Sequence, residues 1–111
     1  MSISKVTFLS FVIASALSVC ALALDHKKST SIEVMIKDMV FSIPEVKITM
    51  GESIKWVNTD LVPHTVTADD HTFDSKTIDP GKSWIYQPKK IGKFSYKCSF
   101  HPTMKASLSV Q

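Results

Sequence analysis

The sequence predicts an all-β domain, a Greek-key sandwich or barrel of about seven or eight short strands. Two observations carry this. Apolar residues recur with period two in nearly every patterned run, and Pro, Gly, Ser or Asp punctuates the chain between the runs. No stretch after residue 24 shows a sustained 3.6-residue period.

The strands follow in order. Ile32, Val34 and Ile36 alternate with Glu33, Met35 and Lys37. Val46, Ile48 and Met50 alternate with Glu45, Lys47 and Thr49, between turns expected at Ser42-Ile43-Pro44 and Met50-Gly51-Glu52. Ile54 and Trp56 follow around Lys55, and a run containing Trp84, Ile85 and Tyr86 lies between Asp79-Pro80-Gly81 and Ile91-Gly92. Phe94, Tyr96 and Cys98 share one phase against Lys93, Ser95 and Lys97, so Cys98 points inward at its strand's end. Met104, Ala106, Leu108 and Val110 resume the inward phase, which places Met104 at the start of the returning strand. Trp56, Trp84, Phe94 and Tyr96 are assigned to the core.

A chain of 111 residues fits one domain. It is 44% hydrophobic and 21% charged, too apolar for a disordered tail. Its positive charge is all lysine and is spread without a block that would track a phosphate backbone, so nucleic acid is excluded as a partner.

Residues 1–23 read as a signal peptide. Lys5 supplies a charge, Val6 to Leu22 is almost entirely apolar or small, and Ala21-Leu22-Ala23 offers a cleavage site, leaving 24–111 as the mature domain. The apolar run is short for a spanning helix, and no membrane insertion is expected after cleavage. A lipidated Cys20 is the alternative, with Val19 a poor residue for such a box. Cleavage after Ala23 would also expose Leu24-Asp25-His26, a terminal tripeptide able to hold Cu(II) through four nitrogens. Cys98 is then the only cysteine in an exported, oxidising compartment, either as a buried apolar residue or as a ligand or nucleophile.

The tight connection between the last two strands brings Cys98 and Met104 to one end of the core, with His101 midway on the loop. A thiolate, a thioether and an imidazole make a soft donor set that suits copper and not Ca²⁺ or Mg²⁺. Upstream, Trp56-Val57-Asn58 is followed by Pro63-His64, which supplies a fourth candidate where a strand ends. His71 lies among Asp69, Asp70 and Asp74 and is assigned to a surface loop.

With Phe41-Ser42-Ile43-Pro44, Gly51, Trp56-Val57-Asn58, Pro63-His64 and Cys98-Ser99-Phe100-His101-Pro102-Thr103-Met104, the mature domain resembles the cupredoxins. It is most similar to the plastocyanin, pseudoazurin and amicyanin group, and its short ligand loop is closest to that of amicyanin. The resemblance implies one copper ion held by His64, Cys98 and His101, with Met104 as a long axial ligand. It also implies a periplasmic or otherwise exported monomer that shuttles single electrons and is not an enzyme, with copper storage or delivery as the alternative. Redox partners of the class of a c-type cytochrome or a dehydrogenase would dock on an apolar patch around His101. Pro63, Phe100 and Pro102 are candidates for that patch, with Met39 or Met50 beside them, and Lys89, Lys90, Lys93 and Lys97 could steer an acidic partner. Thr65 stands where many family members have an Asn that ties this segment to the residue after Cys, and its shorter reach puts that bond in question.

Overall fold

The computed structural model describes residues 30–111 and the single position 15. The expected signal peptide 1–23, Cys20 and the Leu24-Asp25-His26 terminus lie outside the described residues.

Eight strands occur in the order β1 (Ser31–Lys37), β2 (Val40–Phe41), β3 (Glu45–Ile48), β4 (Ser53–Asn58), β5 (Thr67–Ala68), β6 (Ser83–Tyr86), β7 (Gly92–Lys97) and β8 (Lys105–Val110). They form two four-stranded mixed sheets, β2-β1-β4-β6 and β3-β8-β7-β5. The fold is an all-β sandwich, and no helix among the described residues is long and apolar enough to cross a membrane.

The alternating runs bury the expected faces. Val34, Ile36, Val46, Ile48, Ile54, Trp56, Phe94, Tyr96, Leu108 and Val110 are all core residues. Trp84, assigned to the core from its type, is only half-buried: it lies on β6, an edge strand, whose other face exposes Ile85. An aromatic cluster fills the interlayer space, with Phe73 packed against Trp56, Trp84, Tyr86, Phe94 and Tyr96. Trp56 of one sheet donates its Nε1–H to the Tyr96 hydroxyl of the other at 3.3 Å. Burial outweighs that hydrogen bond and pushes the Tyr96 phenol up to about 12.

Several of the expected turns are crossovers between the sheets and not hairpins. β1 pairs with β4 and β3 with β8, both parallel, so Met50-Gly51-Glu52 carries the chain from one sheet to the other. True sequential hairpins are β1–β2 and β7–β8. A turn residue marks where the chain bends, but hairpin and crossover bends use the same residue types. The parallel β1–β4 pairing has a direct consequence, because it brings the Asp38-Met39 turn after β1 to the same end as the loop after β4.

Candidate metal centre

The site is built where β4, β7 and β8 meet the loops at that end. At the close of β4, Asn58 is fully buried and spends its side chain on three hydrogen bonds. Its Nδ2 donates to the carbonyls of Val62 and Ile78, each at 2.9 Å, and its Oδ1 accepts from the Asp60 amide at 3.0 Å. These bonds curl residues 59–63 into a fixed loop that delivers His64. His64 then pairs with Ile78 through both backbone groups, at 3.1 and 2.8 Å. Gly81 (φ 77°) makes the opposing turn, and its amide donates to the Asn58 carbonyl at 2.8 Å. Asn58 therefore explains the Trp-x-Asn element as a loop fastener.

The second wall is the loop between β7 and β8, and its spacing follows from its hydrogen bonds. The His101 amide donates to the Cys98 carbonyl at 3.2 Å, and the Met104 amide donates to the His101 carbonyl at 2.9 Å. Each bond closes a four-residue turn with two residues between its ends. The Cys98 amide donates to the Met104 carbonyl at 3.1 Å and completes the loop.

His64 Nδ1 and His101 Nδ1 each lie 3.6 Å from Cys98 Sγ. The ligand atoms of the three residues all fall within 4.8 Å of one another. His64 and Cys98 are wholly buried, Met104 is buried at the base of β8, and His101 is half-buried. Cys98 is the free cysteine among the described residues, and its sulfur accepts a hydrogen bond from the Thr65 amide at 3.3 Å.

Thr65 makes the bond expected of a longer side chain. Its Oγ1 accepts from the Ser99 amide at 2.8 Å. The reach suffices because β5 pairs with β7, Thr67 opposite Lys97, and draws the two segments together. A chain of hydroxyls continues from it. Thr67 contacts Asp74 at 3.3 Å, Thr65 at 2.9 Å and Ser99 at 3.0 Å through its Oγ1. Its one proton goes to the Asp74 carboxylate, which can only accept, so Thr65 and Ser99 donate to Thr67. The Lys76 amide on Asp74, helped by the Lys76 ammonium and the Thr67 hydroxyl, outweighs desolvation and holds the Asp74 carboxyl below its ordinary value.

On the other side His64 Nε2 lies 2.7 Å from Asp60 Oδ2. A carboxylate accepts, so Nε2 carries the proton and the Nδ1 lone pair faces Cys98. Partial burial raises the Asp60 pKa, but the Met39 amide, the His64 imidazole and the Asp38 amide together hold it below 3.8. Two imidazole nitrogens and a cysteine sulfur thus converge on one point. This soft set fits copper, and His64, Cys98 and His101 are in position to bind one copper ion.

Residues 7–110 match the cupredoxin-like domain family. The chain belongs to the cupredoxin family. Among curated relatives, this cupredoxin is 30% identical over 108 residues to amicyanin-alpha of Methylorubrum extorquens, covering 92% of this chain and 91% of the relative. It is 27% identical over 86 residues to amicyanin of Paracoccus versutus, covering 73% of this chain and 65% of that relative. Among solved structures, an amicyanin variant in the Cu(I) form superposes with a TM-score of 0.68 at 22% identity, over 73% of this chain and 82% of that one. The purple cupredoxin of Nitrosopumilus maritimus superposes at 0.67 and 23% identity, over 72% of this chain and 99% of that one.

Some surface assignments need correcting. Met39 stands at the site's end, 39% exposed, but Met50 lies at the opposite end, where its amide bonds Gln111. The rim exposes Leu61, Val62, Pro63, Phe100 and Pro102. The four lysines expected to steer a partner do not encircle His101. Gly92 at the start of β7 pairs with Val110 at the end of β8, so Lys93, and with it the preceding Lys89 and Lys90, falls at the far end. Lys97 is at the near end and pairs with Asp69 at 3.6 Å. His71 is exposed in its surface loop, as its neighbours suggested. Phe73 and Asp60 escaped the sequence reading. Neither sits in an alternating run, and a carboxylate four residues before a histidine signals contact only on a helix.

Proposed function

We propose that this cupredoxin is an exported electron carrier that holds one copper ion through His64, Cys98, His101 and Met104. The copper supplies a one-electron couple, Cu(II)/Cu(I), at a thiolate–imidazole site. The observation that carries the reading is the convergence of two imidazoles and one thiol beneath a half-exposed His101 rimmed by apolar side chains.

Each residue has a definable task. Cys98 provides a thiolate steadied by the Thr65 amide. His64, anchored through its backbone and its distal nitrogen, provides a ligand that need not move when charge changes. Met104, buried just before β8, would supply a weak thioether donor. His101 bridges to solvent, where Phe100 at 51% exposure and Leu61 at 96% offer a dry contact of the kind used in brief redox encounters. With all donors supplied by protein there is no open position for a substrate, so the chain is not an enzyme. Residues 1–23 act as the export signal, supported by their basic, apolar and small-residue pattern.

The test is reconstitution with one equivalent of Cu(II). An intense visible thiolate-to-copper absorption, a reversible one-electron wave and loss of the colour in Cys98→Ser are expected. A colourless protein with tightly bound Cu(II) would contradict the assignment.

A further inference from the structure

Asp60 makes contacts that a surface loop carboxylate does not need. Its Oδ1 accepts from the Asp38 amide at 2.6 Å, and its Oδ2 accepts from the Met39 amide at 3.1 Å and from His64 Nε2 at 2.7 Å. Asp38 and Met39 are the two central residues of the β1–β2 hairpin, with φ of 51° and 64°. Both therefore occupy the left-handed region that a two-residue primed turn requires and that non-glycine residues enter at a cost. Their amides point outward from the hairpin, and one carboxylate receives both.

The side chain of Asp60 is only 12% exposed, and that of His64 is not exposed at all. Among the described residues no lysine pairs with Asp60, and the imidazole is its one ionisable partner. A mostly covered carboxylate held on three N–H donors is fixed in place, and its charge is only partly screened by solvent.

We propose that Asp60 is a positioning residue for the metal centre, locking His64 in the Nε2–H tautomer and setting a negative charge behind that ligand which lowers the centre's reduction potential. This deepens the electron-carrier reading and rests on it. The tautomer follows from the acceptor-only chemistry of the carboxylate, and it leaves the Nδ1 lone pair facing Cys98. The sign of the effect on potential follows from Coulomb's law. A fixed negative charge favours the oxidised, more positive state over the reduced one. The β1–β2 turn supplies the rigidity, because its two amides hold the carboxylate where His64 needs it.

The experiment has two arms. Nitrogen-15 NMR of the imidazoles, in the metal-free and the diamagnetic Cu(I)-loaded protein at neutral pH, should show His64 protonated at Nε2 with a slowly exchanging, hydrogen-bonded proton. A proton on Nδ1 in the metal-free protein, or rapid exchange between the two nitrogens, overturns the proposal without any substitution. In the copper-loaded protein Asp60→Asn should shift the reduced-to-oxidised ratio at fixed applied potential toward Cu(I) by tenfold or more, about 59 mV for one electron. Asp38→Asn removes a charge from the same turn without touching the imidazole, and should change that ratio less than twofold. A potential unmoved in Asp60→Asn, or moved equally in Asp38→Asn, overturns the proposal. If the unsubstituted protein shows neither colour nor a one-electron wave, the carrier reading fails instead, and the metal-free tautomer still decides the positioning role.

Discussion

The two walls of the metal centre are built to different standards. Residues 58–67 form a braced platform on buried anchors: Asn58 is saturated by three hydrogen bonds, His64 is paired on both backbone groups and tethered to Asp60, and Thr65 reaches across to Ser99. The loop 98–104 is held by three backbone bonds among Cys98, His101 and Met104, and it presents Phe100, Pro102 and part of His101 to solvent. The His101 ring makes no hydrogen bond among the described residues beyond its contact with Cys98. One wall fixes geometry, and the other brings a ligand to the surface without losing it.

Breaking the platform should cost most. Asn58→Ala strands the carbonyls of Val62 and Ile78 and the Asp60 amide, so chemical unfolding of the metal-free protein should show a loss of about 3 kcal/mol. A loss below 1 kcal/mol would mean that residues 59–63 keep their course without the fastener.

The floor beneath both walls has its own pH signature. The Tyr96 phenol is raised from 10.0 to about 12 by burial, so the folded state disfavours its ionisation. That preference is fully present below pH 10 and is lost as pH rises toward 12, when the unfolded chain ionises first. The shift corresponds to about 3 kcal/mol of stability lost across that window. Tyr96→Phe should flatten this alkaline limb while costing about 1 kcal/mol at neutral pH for the Trp56 N–H left unpaired.

The seam between the walls comes next. Thr65→Val keeps the shape but removes the acceptor for the Ser99 amide, so a loss of about 1–2 kcal/mol and faster copper release to a chelator are expected. Phe100→Ala on the loop surface should change stability by no more than about 0.5 kcal/mol. Its effect should appear in slower electron exchange with a partner, measured by stopped flow.

The contrast between the walls also explains what could be read from the chain alone. Cys98 and Met104 were legible because strand phase puts both inside, and His101 because it lies between them. His64 was legible through its Pro-His context. Asp60 was not, since its contact depends on a loop that doubles back around Asn58 and on the parallel pairing of β1 with β4, neither of which leaves a periodic mark. Strand β5, two residues long, is too short to alternate, yet it makes the Thr65–Ser99 bond possible. That Lys97 lies apart from Lys89, Lys90 and Lys93 was not legible, because their grouping in sequence runs from the segment before β7 to that strand's far end.

The central claim is that the platform is formed before any metal arrives, while the loop gains order from it. Amide hydrogen exchange followed by NMR in the metal-free and Cu(I)-loaded protein tests this at two residues. The His64 amide, bonded to Ile78, should be strongly protected in both forms, and the His101 amide, bonded to Cys98, should gain protection at least tenfold on loading. A His64 amide that exchanges freely until copper binds, or a His101 amide equally protected in both forms, would contradict the account.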